Sequence, residues 1–206
     1  MGNREGHSQS CPRGRSCRGA NQSPINVSAA PQPNSLALKP TPEELLLQLA
    51  ALKVAPGASQ ARVVRQVLSL LEQLAHSGQE ALPAIRQFVG SNRDVEYDSV
   101  SGKGPRDIRA LTDAVLPPSL RLALFDVVRQ IGGNNGEQLL AETLGLTKRG
   151  LEVAFLTQLL EEMASGKYRN VALAAAQALL NRGAAESADR FQRDYLFNVL
   201  RRFNDA

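Results

Sequence analysis

The side chains best suited to chemistry are few, and none completes a set. His7, Cys11 and Cys17 are the only cluster of soft metal ligands. A structural zinc site takes four ligands and usually a Cys-x2-4-Cys knuckle, and these irregularly spaced residues supply neither, so no metal is assigned to them. Under oxidising conditions the two Cys could pair instead, closing only a short loop. Asp94, Glu96 and Asp98 alternate as in a calcium loop, but Ser99 stands at the turn glycine and Pro105 at the bidentate glutamate of an EF-hand. A solvated acidic loop is the reading that remains. Gly102-Lys103-Gly104 lacks the upstream Gly and the following Ser or Thr of a phosphate-binding loop. After the first 40 residues there is a single His, His76, and no Cys. With no Gly-x-Ser-x-Gly elbow to pair with it, His76 is assigned to the carboxyl end of its helix. The expectation is a non-catalytic protein with no catalytic residues, no cofactor and no metal.

Charge narrows the partner class. The first 40 residues hold five of the 24 basic side chains and one of the 20 acidic ones, leaving the remainder balanced at 19 against 19. The basic surplus therefore belongs to the leading segment, and a neutral body lacks the cations needed to displace phosphate counterions. Nucleic acid is accordingly the less favoured partner. Hydrophobic residues make up 43% of the chain and aromatic ones 4%, enough for a core but offering few ring platforms. No apolar run reaches the roughly 18 residues of a membrane span. Residues 1–12 show no apolar signal region, and Gly6 replaces the Ser or Thr of a myristoylation motif. Cytoplasmic residence is the default expectation, which a miscalled start would alter.

Residues 1–40 form a Pro-, Gly-, Ser- and Asn-rich basic arm that buries too little to offset its ordering entropy, so it is expected to be disordered. A folded domain is expected over 41–206. Thr41-Pro42-Glu43-Glu44 has the pattern of a capping box with Pro at the first helical position. The short helix that follows, carrying Leu45, Leu49 and Leu52, is either a lid on the first repeat or a docking helix. Three stretches then share one template of helix, Gly-containing break and helix: Pro118–Leu144, Gly150–Leu180 and, more loosely, Ala61–Val89. Val64, Val67, Leu68, Leu71 and Leu74 mark the first face. Leu82, Ile85 and Val89 mark its partner, with Pro83 confined to the first turn. First helices begin near 60, 118 and 150, and second helices near 80, 137 and 168. Both series keep one period if 91–116 is an insertion, itself a candidate contact loop with a short helix suggested by Ile108, Leu111 and Val115. The final helix, near Glu186–Phe203, is expected to close the array with an inward arc of Phe191, Tyr195, Leu196, Val199, Leu200 and Phe203.

The run from Leu120 to Gly133, LRLALFDVVRQIGG, resembles the first helix of HEAT and HEAT-like repeats. Tyr168 to Leu180 is similar to their Ala-rich helix. The resemblance covers roughly Gln60–Phe203, although the paired Asp and Arg positions that often form ladders between HEAT repeats are incomplete. It implies an all-α fold: a short α-solenoid of about three HEAT-like helix pairs with capping helices, whose second helices line a concave binding surface. Exposed positions there would be Arg86, Gln87, Gln138, Glu142, Asn170, Gln177 and Asn181, a mixture that suits a protein partner. On the last helix, Phe197 lies between Arg193 and Arg201, one turn away on each side. It is either an interface anchor or a cover for a neighbouring helix with the Arg groups solvated. The function expected is partner binding or scaffolding, with an unidentified protein as partner. The alternative is a nucleic-acid binder using the basic arm and the Arg-bearing last helix.

Overall fold

Helix α1 (Pro42–Ala51) begins where a reciprocal cap satisfies its first amides. Glu44 N–H donates to Thr41 Oγ1 at 3.3 Å, Thr41 N–H donates to Glu44 Oε2 at 2.9 Å, and Pro42 occupies the first turn, as the local sequence predicts. The computed structural model describes residues 39–53, 60–97, 108, 112, 115–183 and 190–204. The expected disordered arm up to Leu38, with His7, Cys11 and Cys17, lies outside the described residues. So do Asp98, Gly102-Lys103-Gly104 and most of the expected insertion.

Helix α2 (Gln60–His76) turns Val67, Leu70, Leu71 and Leu74 inward. Leu70 takes the buried place expected of Leu68, which is half-buried along with Val64. At its end His76 Nδ1 donates to the Glu72 carbonyl at 2.7 Å, the helix-terminal role expected of this side chain. The second member of this pair starts differently from expectation. Gly78–Ala81 forms a 3-10 turn before α3 (Leu82–Gly90). Pro83 has no N–H to give the Gln79 carbonyl, and the Leu82 N–H takes that acceptor instead, tightening the turn.

Helix α4 (Leu120–Ile131) starts at Ser119, whose hydroxyl accepts from Leu122 N–H at 3.5 Å. Gly132 and Gly133 then adopt φ of 65° and 72°, a left-handed corner that side-chain-bearing residues rarely take. The chain turns there directly into α5 (Gly133–Leu146), which begins four residues before the expected Glu137. Gln79 fixes this early start: its amide donates to the Gly132 carbonyl at 3.2 Å and accepts from Asn135 Nδ2 at 3.0 Å. Helices α6 (Gly150–Met163), α7 (Arg169–Gly183) and α8 (Arg190–Asn204) complete the body.

The eight α-helices of the described residues lie in the compact unit Lys39–Ala206, and the described residues contain no strand, only an isolated antiparallel bridge between Glu96 and Ser119. Tyr97 N–H donates to the Pro118 carbonyl and Leu120 N–H to the Val95 carbonyl, both at 2.9 Å. These bonds tie the two ends of the expected insertion together. Packing follows two successions. Helices α2, α4, α6 and α8 each meet the next, α3, α5 and α7 do the same, and α1 covers α2 and α3. Leu122, Leu124, Phe125, Phe155, Leu156 and Leu159 are buried where the central helices meet. Each such side chain contributes about 1.5–3 kcal/mol. Phe191, expected on the inward arc of α8, is instead 58% exposed. Its neighbour Gln192 turns toward α6, where its side-chain oxygen accepts from Leu151 N–H at 3.0 Å, so the first turn of α8 faces Phe191 outward.

The same contact makes Gly150 a fixed position. A Cβ on it would sit 2.5 Å from the Gln192 backbone oxygen, closer than real Cβ atoms approach backbone. Gly150→Ala must therefore separate α6 from α8. The expected outcome is a loss of about 1–3 kcal/mol, read as a lower midpoint in thermal unfolding followed by circular dichroism.

Candidate functional site

The most enclosed polar arrangement lies where α3, α4 and α6 meet. Arg121, in the first turn of α4, is 3% exposed, as is Glu152 in the first turn of α6. Their side chains pair bidentately, Nε to Oε1 at 2.7 Å and Nη2 to Oε2 at 2.9 Å. Arg121 Nη1 also donates to the Val89 carbonyl at the end of α3, at 2.6 Å. Glu152 accepts further bonds from Thr147 Oγ1 at 2.6 Å and Arg149 Nη1 at 3.2 Å. Arg149 in turn reaches Asp94 Oδ2 at 2.5 Å, and Asp94 Oδ1 accepts the Val95 and Arg121 backbone amides at 2.9 and 3.1 Å. Asp94 is thus a cap and ion-pair partner, not part of a solvated acidic loop. Every charge is paired and hydrogen-bonded, which is what removal from water demands.

Arg121 and Thr147, two members of this network, form the floor of a cleft of about 360 Å³ between α3 and α5. Arg86 and Glu142 face each other across it as an ion pair, and Gln138 Nε2 donates to Glu142 Oε1 at 2.9 Å. Three of the sequence-predicted binding residues are therefore brought together, with Gln87 exposed one position from Arg86. Leu146, 79% exposed, and Lys148 stand at the cleft mouth. Asn170, Gln177 and Asn181 are exposed on α7, the next helix in that succession, away from the cleft lining. Arg193, Phe197 and Arg201 are exposed on α8, on a different surface.

Two further clusters are structural in their geometry. Glu137 accepts from Lys167 Nζ at 2.5 Å and Tyr168 OH at 2.7 Å, linking α5 to the turn before α7. The hydrogen bonds from Lys167 and then Tyr168 hold the Glu137 carboxyl below its ordinary 4.5, and the Glu137 hydrogen bond in turn raises the Lys167 ammonium. Tyr97 is 2% exposed, and its hydroxyl has no hydrogen-bond partner among the described residues. Burial, followed by the charge of Asp94, drives its pKa upward. Among the described residues no group of three or more His, Cys, Asp or Glu is placed to hold a metal, and no helix is long and apolar enough to cross a membrane. Comparison of the chain with protein-family models, curated proteins and solved structures returns no match.

Sequence reasoning missed the Arg121 network, although one sign of it was present. Arg121 interrupts the apolar run Leu120-Leu122-Ala123-Leu124-Phe125, where a charge has no reason to sit unless it is paired. Arg121→Ala leaves Glu152 short of its main partner in a dry site, and a loss of about 3–5 kcal/mol is expected. The double variant Arg121→Met with Glu152→Leu should lie closer to the parent than either single change, measured as a double-mutant cycle in denaturant unfolding. For Glu137, a depressed folded pKa means a stabilising contribution that is complete above 4.5 and lost as pH falls through the folded value. Glu137→Gln should therefore lower the denaturation midpoint at neutral pH, and the two proteins should converge as the pH drops below 4.5.

Proposed function

We propose that this chain is a non-catalytic protein-binding module: three HEAT-like helix pairs stacked in a row and closed by α1 and α8, with a partner held on the α3–α5–α7 side. Nearest-neighbour packing in two successions supports the stacked reading, because hairpins that cannot bury their own apolar faces must cover one another. The Arg121–Glu152 pair adds to it by linking α4 and α6, two successive first helices, as ladder residues of HEAT-like repeats do.

One observation carries the binding reading. At the α3–α5 cleft an exposed apolar side chain, Leu146, stands beside Lys148, which has no ion-pair partner among the described residues, over a floor locked by buried hydrogen bonds. A rigid floor with an apolar and a charged group at the rim offers a partner contact area at little ordering cost. Arg86 and Glu142 satisfy each other on the free surface, so their contribution is one of local field and shape.

Two variants test this. Exchanging the pair as Arg86→Glu with Glu142→Arg preserves an exposed ion pair worth about 0.2–1 kcal/mol, so stability should hold while the charge pattern reverses. Leu146→Asp with Lys148→Glu alters the rim. In affinity purification from the native cell, the rim variant should lose the principal partner by about tenfold or more, as a hot-spot change does. The exchanged pair should weaken the same partner. Retention of every partner by both variants would reject the reading.

A further inference from the structure

The last helix presents a second surface of different chemistry. Helix α8 turns Leu196, Val199 and Phe203 into the core and leaves Arg193, Phe197 and Arg201 exposed. Members four residues apart share one helix face, so the three form a stripe about 12 Å long. Phe197 is 52% exposed, an aromatic ring left in water between two cations.

Neither guanidinium has an ion-pair or hydrogen-bond partner among the described residues. Other arginines of this region are engaged: Arg202 donates to Gln158 Oε1 and Arg169 to the Phe203 carbonyl. Among the described residues of α8, Asp194 is the one acid beside Arg193, Arg201 and Arg202. A guanidinium donates two parallel hydrogen bonds to a carboxylate, and an exposed aromatic ring gains by covering an apolar group.

We infer that the Arg193–Phe197–Arg201 stripe docks a helix of a partner protein, one that presents two carboxylates about two turns apart on either side of an apolar side chain. Two turns of a partner helix span about 10–12 Å, the length of the stripe. Nucleic acid fits less well, because beyond residue 40 basic and acidic side chains balance at 19 each and supply no wider cationic track. The inference rests on the reading of this chain as a protein-binding module and adds the chemistry of what it binds.

The test uses the full chain and three fluorescent probes in anisotropy titrations: a stapled helical peptide with two Glu seven residues apart flanking a Leu, the same peptide with Lys for Glu, and a single-stranded thymidine oligonucleotide. The Glu peptide should bind saturably. Arg193→Glu with Arg201→Glu, and separately Phe197→Ala, should each weaken it about tenfold or more while the far-ultraviolet spectrum and melting temperature stay unchanged. The charge-reversed protein should prefer the Lys peptide. Equal binding of both peptides by the parent chain, or of the Glu peptide by the variants, would overturn the inference. Tight oligonucleotide binding that Phe197→Ala abolishes would overturn it too, as would self-association that the reversal dissolves. If the cleft variants keep every partner while the Glu peptide still binds, the cleft reading fails alone. The opposite pattern removes only the stripe.

Discussion

A guanidinium almost without water holds three helices in one arrangement. Arg121 gives hydrogen bonds to the end of α3 and to the first turn of α6 while standing in the first turn of α4. Dehydrating such a pair costs several kcal/mol per ion, and replacing it with well-packed apolar residues is often neutral or favourable. Its contribution is then better understood as selection among arrangements. Leucines tolerate a slip of one helix along another, whereas a bidentate pair with a shared backbone acceptor is satisfied in one register only.

That constraint organises the surroundings. Arg149 and Asp94 carry it outward to the segment after α3, and the antiparallel bridge at Glu96 and Ser119 brings the chain back to the start of α4. With alignment settled inside, the outer faces of α3, α5 and α8 are not needed for it. The Arg86–Glu142 pair is exposed and crosses between neighbouring helices, so it belongs to surface shape and field more than to stability. The uncovered Leu146 and Phe197 sit on a frame already rigid beneath them, which lowers the entropy lost when anything binds there.

Local features could be read directly from the residues. The Thr41 cap and the Gly132-Gly133 corner depend on neighbours in sequence, and the helix periodicity reports which faces are buried. The 3-10 start at Gly78 follows from the missing N–H of Pro83 nearby in sequence. The early start of α5 was not readable, because it depends on Gln79, a side chain more than 50 residues from the Gly132 carbonyl it reaches. Phe191 was misplaced for a related reason: periodicity gives a hydrophobic arc, but the backbone contact at Gly150 decided which side of the first turn faced α6. The exposed residues of the candidate surfaces followed from helix phase. The charged floor beneath the cleft did not, since a buried Arg and its Glu 31 residues away leave no local pattern beyond an unexpected charge in an apolar run.

The meeting of Gly150 with the backbone of Gln192 divides the molecule's tolerance for sequence change. Main-chain atoms cannot be altered by substitution, so any side chain at Gly150 meets the same obstacle whatever residue occupies 192. Nothing comparable restrains the outer side of α8, the helix of Gln192, where exposed residues can be exchanged without disturbing the frame. Drift and selection can therefore change that exposed face while the joint behind it stays invariant, an uneven evolvability built into a single helix.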